Sequence, residues 1–341
     1  MKYLFVLSGE HASLPAAEAS GLFRTLDPDI VVNRLSSRLM LIETTLDPDI
    51  GSMLSSRLSL TREASEVIQM GLTPNLGNLS TEIFNLVKDA SFLVRARGMG
   101  AEGPGIEARM GSIILENARS LGHETSVSLD SPQVTLLLTR NSGELMVSKL
   151  IEKQNRSDYE ARTRELPFKQ PVSLDPVLAR AMVNISGVAA GDAVLDPFCG
   201  TGIILGEAGA VGARIFGMDF SQSMVEGTAT NLRSLGLMSF HLVRGDAMRT
   251  PEILGMQFDH VVTDPPYGRA SATIRGPAQI LAEFPAIMEQ AISPGGTLCF
   301  ASPSTMDLCS RISEAGLRVE CFAYQRVHGS LGRHLYLASK V

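Results

Sequence analysis

Cysteine is scarce. The 341 residues hold four, Cys199, Cys299, Cys309 and Cys321, and no two form a Cys-x-x-Cys pair. That excludes a disulfide-stapled secreted chain and a cysteine zinc site. The six histidines show no ligand spacing and no triad pattern, so no metal is expected. A long hydrophobic run is also missing. The longest uncharged stretch, Gln290 to Met306, is broken by Pro294, Gly295, Gly296 and Pro303, and it cannot supply the ~20 apolar residues of a membrane span. The short apolar run Tyr3 to Leu7 is followed at once by charge and reads as a first strand rather than an export signal. A soluble, cytoplasmic protein is the expectation. Positive charge is in deficit, with 30 Lys and Arg against 36 Asp and Glu, a net of −6. This sign excludes coating of nucleic acid through bulk charge, but not a local basic groove.

What is present is enough for buried cores: 44% of residues are hydrophobic and only 19% charged. Single cores stop growing near ~250–300 residues, so two or more domains are expected. Residues 1–70 alternate strand-like runs (Tyr3 to Leu7, Ile30 to Arg34, Leu39 to Glu43) with a helical segment, Pro15 to Leu26, and read as a small α+β module. Thr25 to Ile30 recurs as Thr45 to Ile50, but a two-copy echo marks similar turns rather than a solenoid. After the Gly/Pro/Asn stretch Gly71 to Asn78, residues 72–151 form a second α+β module. It has helices at Ser80 to Lys88 and Gly111 to Leu121, and strands at Ser91 to Arg97, Val127 and Val134 to Leu138. Residues 152–171 have the composition of a linker. From 172 to 341 the pattern turns to repeated βα units, which implies an α/β fold with a doubly wound, Rossmann-like parallel sheet. The last two strands, Arg318 to Gln325 and Arg333 to Ser339, are joined too tightly for a parallel crossover and must form an antiparallel hairpin.

The chemistry gathers in that last region. Leu195-Asp196-Pro197-Phe198-Cys199-Gly200-Thr201-Gly202 is a strand, an acidic residue and a Gly-x-Gly turn leading into a helix. A dinucleotide fingerprint would require glycine where Leu205 stands, and Asp196 would repel a pyrophosphate. A carboxylate there suits a cationic group, such as the α-amino group of S-adenosylmethionine. Asp219, with Phe220 after it, ends the next strand 23 residues on, the spacing at which an acid meets ribose hydroxyls. Gly245-Asp246-Ala247 follows the third strand, where a carboxylate can accept from an adenine amine. Each aspartate alone reads as a cap or turn residue; three at the ends of successive strands favour a nucleoside site. Asp264-Pro265-Pro266-Tyr267 follows the fourth strand. It is a loop stiffened by two prolines, with an acceptor on one side and an aromatic face on the other. The set suits a planar base carrying an exocyclic amine: Asp264 and the Pro265 carbonyl accept from the amine while Tyr267 stacks on the ring. Cys199 inside the glycine turn reads as a small packed hydrophobe rather than a nucleophile.

These motifs, with Tyr324 to His328 near the end, closely resemble the archaeal tRNA guanine-10 N2-methyltransferases over about 170 C-terminal residues. Ser173-Leu174 and the helix from Asp175 resemble the family's lead-in segment beside the methionine end of the cofactor. The resemblance implies an S-adenosylmethionine-dependent enzyme acting on tRNA, with a ferredoxin-like module (1–70) and an RNA-binding THUMP module (72–151) before the catalytic fold (172–341). It implies methyl transfer to N2 of a guanosine, with Asp264 orienting the amine. Whether one methyl or two are added, and whether the chain is a monomer or requires an activating protein, is not set by these residues. Arg95 and Arg97 share one face of a strand and, with Arg326, His328 and Arg333 around the terminal hairpin, are candidate RNA contacts. Residues 311–341 carry 5 basic against 2 acidic side chains. Alternatives are N2-methylation of another tRNA or rRNA guanosine, adenine N6-methylation, a small-molecule or protein methyltransferase, and a non-catalytic RNA-binding scaffold.

Overall fold

The structure is a computed structural model. It describes residues 1–27, 29–45, 49, 51, 57–141, 143–154, 164–171, 173–266, 276–328 and 331–341. The chain divides into two compact units. One is Met1–Gly9, Asp29–Arg57 and Thr61–Gln154; the other is Glu10–Pro28, Leu58–Leu60 and Asn155–Val341.

In the first unit one sheet holds β1 (Lys2–Leu7), β2 (Val31–Arg34), β3 (Leu39–Glu43), β4 (Thr61–Leu72), β5 (Ser91–Arg97), β6 (Ser126–Val127), β7 (Val134–Asn141) and β8 (Glu144–Lys153). Their order is β2-β3-β1-β4-β8-β7-β5-β6. The two modules expected on either side of residue 71 therefore share a continuous sheet. The seam is the antiparallel β4–β8 pair, where the Ser65 and Ser148 hydroxyls meet at 2.8 Å in the interior. Neither seam strand is evident in the sequence. Thr61–Leu72 contains Arg62, Glu63, Ala64 and Glu66, residues that favour helix in isolation. Pairing with β1 on one side and β8 on the other overrides that preference.

The second unit begins with α1 (Leu14–Leu26), which belongs here and not with the strands that flank it in sequence. Its Glu18 is fully buried. The carboxylate accepts from the Ser59 N–H (2.7 Å), the Leu60 N–H (2.8 Å) and Asn184 Nδ2 (2.9 Å). Burial pushes the pKa of Glu18 up and these bonds pull against that shift. Within the first unit lie α2 (Thr81–Val87) and α3 (Gly103–Ser120), whose Ile83, Val87, Met110 and Ile114 close over Phe92, Leu136 and Leu138 of the sheet.

The second unit's sheet contains β9 (Ala193–Asp196), β10 (Arg214–Asp219), β11 (Phe240–Arg244), β12 (Phe258–Thr263), β13 (Ile292–Pro303), β14 (Leu317–His328) and β15 (Leu331–Lys340). The order is β11-β10-β9-β12-β13-β15-β14. β9 to β13 pair in parallel, β15 runs antiparallel to β13, and β14 and β15 form the expected antiparallel pair. The helices are α4 (Pro176–Ile185), α5 (Ile203–Ala210), α6 (Gln222–Ser234), α7 (Thr250–Leu254), α8 (Pro277–Ala291) and α9 (Cys309–Glu314). Both faces of the sheet are covered. Val194 and Val262 enter one apolar cluster with α4 and α5, while their neighbours Leu195 and Val261 enter another with α8, as the two-residue period of a strand requires. Asp175 caps α4 by accepting from the Val177 N–H at 2.8 Å. The buried Arg180–Glu207 pair, 2.6 Å apart, joins α4 to α5.

Candidate active site

The site is the edge where the parallel strands end. β9, β10 and β12 deliver Asp196, Asp219 and Asp264 at or just after their last residues, and Asp246 follows β11 by two. Parallel pairing in register is what brings residues far apart in sequence to one edge. Such carboxyl edges are where open α/β sheets bind ligands.

Asp196 is 2% exposed. Its Oδ1 accepts from Thr263 Oγ1 at 2.6 Å and from the Phe198 N–H at 3.1 Å. Burial drives its pKa up to about 7, with the charges of Asp219 and Asp264 adding to the rise and the two hydrogen bonds opposing it. Thr263 ties the end of β12 to the end of β9 and so fixes the spacing of Asp196 and Asp264. Thr263 directly precedes the Asp264-Pro265-Pro266 run in the sequence, but its bond to Asp196 was not legible there.

The glycine turn is held from three sides. The Gly200 N–H donates to Asp219 Oδ2 at 3.0 Å. Thr228 Oγ1 donates to the Gly200 carbonyl at 2.6 Å, and Asn231 Nδ2 to the Thr201 carbonyl at 2.9 Å. Gly202 has φ of +81° and an added Cβ would sit 2.7 Å from Thr228 Cγ2, so both backbone and space demand glycine. Pro197 is buried, and Phe198 lies 5.6 Å from the Phe284 ring. Cys199 is 4% exposed and burial pushes its thiol well above its ordinary value, which disfavours the thiolate a nucleophile requires.

Asp219 also accepts from the Ser221 N–H at 2.9 Å. Next to it Phe220 is 61% exposed, an aromatic face at the ligand edge with no apolar cover. The Gly245 N–H donates to the Asp219 carbonyl at 3.0 Å, and Asp246 Oδ1 accepts from the Met248 N–H at 3.0 Å, capping a short turn of 3-10 helix that starts at the buried Ala247. Ser173 is exposed with its hydroxyl 3.5 Å from that of Thr201, and Leu174 packs on the α4 side of the core. These cofactor candidates therefore surround one edge. The arrangement fits a nucleoside bearing a cationic tail: a carboxylate for hydroxyls, an exposed ring to stack on, and a buried acid for an ammonium group.

Part of the stretch read as linker contributes to this site. Phe168 exchanges two backbone hydrogen bonds with the Asn231 side chain, each 2.9 Å. A Cβ on Gly227 of α6 would fall 2.2 Å from the Phe168 ring. A glycine inside a helix costs about 1 kcal/mol against alanine, and that was the one sequence signal of this close approach.

On the target side Asp264 is partly shielded, Pro265 is buried and Pro266 is half-buried. Tyr267 lies outside the described residues. Arg333, expected on RNA, stands with Nη1 3.7 Å from Asp264 Oδ2. Arg326 is exposed. The His328 backbone closes β14, and its side chain lies outside the described set. In the first unit, Arg97 places Nε and Nη2 each 2.6 Å from the Glu63 carboxylate, which raises the arginine's pKa, and Arg95 pairs with Glu107 at 3.4 Å. Both guanidiniums thus already face acids. Among the described residues no group of His, Cys, Asp and Glu could hold a metal, and no helix is long and apolar enough to cross a membrane.

Comparison with known proteins gives the family. Residues 163–334 match the family described as RMKL-like, methyltransferase domain. The chain is 33% identical over 348 residues to the tRNA (guanine(10)-N2)-dimethyltransferase of Methanothermobacter thermautotrophicus, covering 100% of both chains. Among solved structures it resembles TrmN from Thermus thermophilus, with a TM-score of 0.58, 18% identity and 100% of both chains covered. It also resembles a putative methyltransferase complexed with SAH, with a TM-score of 0.50, 14% identity, and 99% of this chain and 98% of that one covered. The expected Rossmann-like methyltransferase fold is present, and the chain belongs to the tRNA (guanine(10)-N2)-dimethyltransferase family.

Proposed function

We propose that this protein uses S-adenosylmethionine to methylate N2 of guanosine 10 in tRNA, proceeding to N2,N2-dimethylguanosine as the name of its full-length relative indicates. The observation that carries the reading is the juxtaposition, along one sheet edge, of a nucleoside-shaped set, Asp219 with exposed Phe220 and Asp246, with the Asp264-Pro265-Pro266 loop after β12, beside the β9 end that carries Asp196. The solved relative complexed with SAH supports the choice of cofactor. Asp219 would take the ribose hydroxyls, Phe220 and Asp246 the adenine, and Asp196 the α-amino group, with Ser173, Leu174 and the glycine turn bordering the methionine portion.

The cofactor supplies a methyl group made electrophilic by a sulfonium. On the protein's side, Asp264 and the Pro265 carbonyl accept from the N2 amine and turn its lone pair toward that methyl. The N2 lone pair forms the new N–C bond as the S–C bond breaks toward sulfur. The proton then carried by N2 leaves to Asp264 or water, and no strong base is required because the alkylated amine is acidic. The guanine must leave its stack to reach the loop, at a cost of a few kcal/mol.

The first unit serves as the RNA-holding part, in the ferredoxin-like and THUMP order that the resemblance implies, and the protein works in the cytoplasm. Incubation of unmodified tRNA with methyl-labelled S-adenosylmethionine, followed by nucleoside analysis and mapping, tests the proposal. Label in N2-methylated guanosine at position 10 is the expected result. Label in N6-methyladenosine, or none in tRNA, would overturn it.

A further inference from the structure

Arg333 does not sit where an RNA-contacting arginine would be expected. It lies inside β15, opposite Pro303 of β13 and Gln325 of β14, so its backbone is held by pairing on both sides. Its side chain is only 15% exposed and that of Asp264 22%, and their charged atoms are 3.7 Å apart. We propose that Arg333 is a positioning residue for Asp264, keeping that carboxylate ionised and aimed at the target amine. The inference rests on the reading of Asp264 given above.

Two physical points support it. At 3.7 Å the guanidinium and the carboxylate are within ion-pair range, and both side chains are largely shielded from solvent. Asp264 also belongs to a group of acids whose charges act on one another, since Asp219 and Asp264 both raise the pKa of Asp196. An opposite charge within ~4–6 Å favours the ionised form of a carboxylate. Arg333 supplies that charge from β15, two strands along the sheet from β12, in a place shielded from bulk screening.

The test is kinetic, on the full chain, comparing wild type with Arg333→Ala, Arg333→Met and Arg333→Lys. The expected result is a fall in kcat of about tenfold or more in the two uncharged variants. The Kd values for tRNA and S-adenosylmethionine should stay within about twofold, and lysine should recover part of the loss. Methionine fills the space of the stem, so it replaces alanine if the alanine variant lacks the wild-type thermal shift with cofactor. An unchanged kcat with a raised tRNA Kd would overturn the inference and make Arg333 an RNA contact. Equal losses in the methionine and lysine variants would overturn it too, because charge would not be what matters. If the wild type makes no N2-methylguanosine in tRNA, the activity reading fails; if it does and Arg333→Met is unimpaired, only this inference fails.

Discussion

Asp196 should make the catalytic unit less stable than it needs to be, by an amount that depends on pH. Its pKa rises from 3.8 to about 7 because the side chain is fully buried. The sign follows from the direction of that shift. The fold favours the neutral acid, so this group's contribution is fully present below 3.8 and is lost as pH climbs to about 7. At ~1.4 kcal/mol per unit the full loss is about 4 kcal/mol, of which about 3 kcal/mol falls between pH 5 and pH 8. Asp196→Asn removes the charge and keeps Oδ1 as acceptor for Thr263 and the Phe198 N–H. The variant should therefore gain stability over wild type as pH rises, level off above about pH 7, and lose cofactor affinity throughout. Amide hydrogen exchange in β9 and β12 at pH 5 and pH 8, corrected for intrinsic rates, reports the unit in question. A stability difference that is the same at both pH values would refute the reasoning, because burial of a titrating charge would then not be the cause.

The same acid predicts that S-adenosylmethionine affinity rises with pH, up to tenfold per unit, until it levels near pH 7, since the ammonium group pairs with the ionised form; isothermal titration across pH 5.5 to 8.5 checks this, and a flat profile contradicts it. Phe220→Ala should raise the cofactor Kd about tenfold through lost stacking while leaving the melting temperature nearly unchanged, because the ring is 61% exposed. Gly202→Ala should cost about 1–3 kcal/mol in stability, visible as a lower melting temperature, and weaken cofactor binding with it. Asp264→Ala should abolish turnover in the tRNA assay and keep cofactor binding; wild-type turnover would remove Asp264 from the mechanism. Glu18→Ala leaves the Ser59 and Leu60 N–H groups and the Asn184 amide without their acceptor and should destabilise the catalytic unit by about 3 kcal/mol, measured by denaturant unfolding.

The catalytic sheet was legible because its strands are short apolar runs ending in acids, and because each aspartate's place follows from local order along the chain. The glycine turn, Asp219, Asp246 and the Pro-Pro loop could be assigned to one edge before any coordinates. What escaped was whatever depends on partners distant in sequence. β4 and β8 form through each other, across about 80 residues, and their composition alone points elsewhere. Thr263, Thr228 and Asn231 act by hydrogen bonds to backbone and side-chain atoms that no spacing rule connects. Phe168 stood in a polar stretch, and only Gly227 hinted at its seat. Arg333 was visible as a charge near the end of the chain, but whether it meets phosphate or Asp264 is a matter of strand register.

The placement of α1 bears on how the protein can be made and cut. Leu14 and Leu60 are buried in the same apolar cluster as Val177, Met182 and Val194, so residues 163–334, which match the methyltransferase model, do not contain all of their own core. A gene fragment that starts in the 152–171 stretch would encode every residue of the proposed chemistry and still leave α4 without its cover. On the ribosome, α1 has to wait for about 150 further residues before its partner helix α4 exists. Of the intervening strands, β4 waits about half as long for β8, and at ~5–20 residues per second the delay of the helix is of the order of ten seconds. A split protein built from residues 1–62 and 63–341, or a circular permutant that opens the chain elsewhere, would show whether that early helix is merely a late-docking piece or one the catalytic unit cannot fold without.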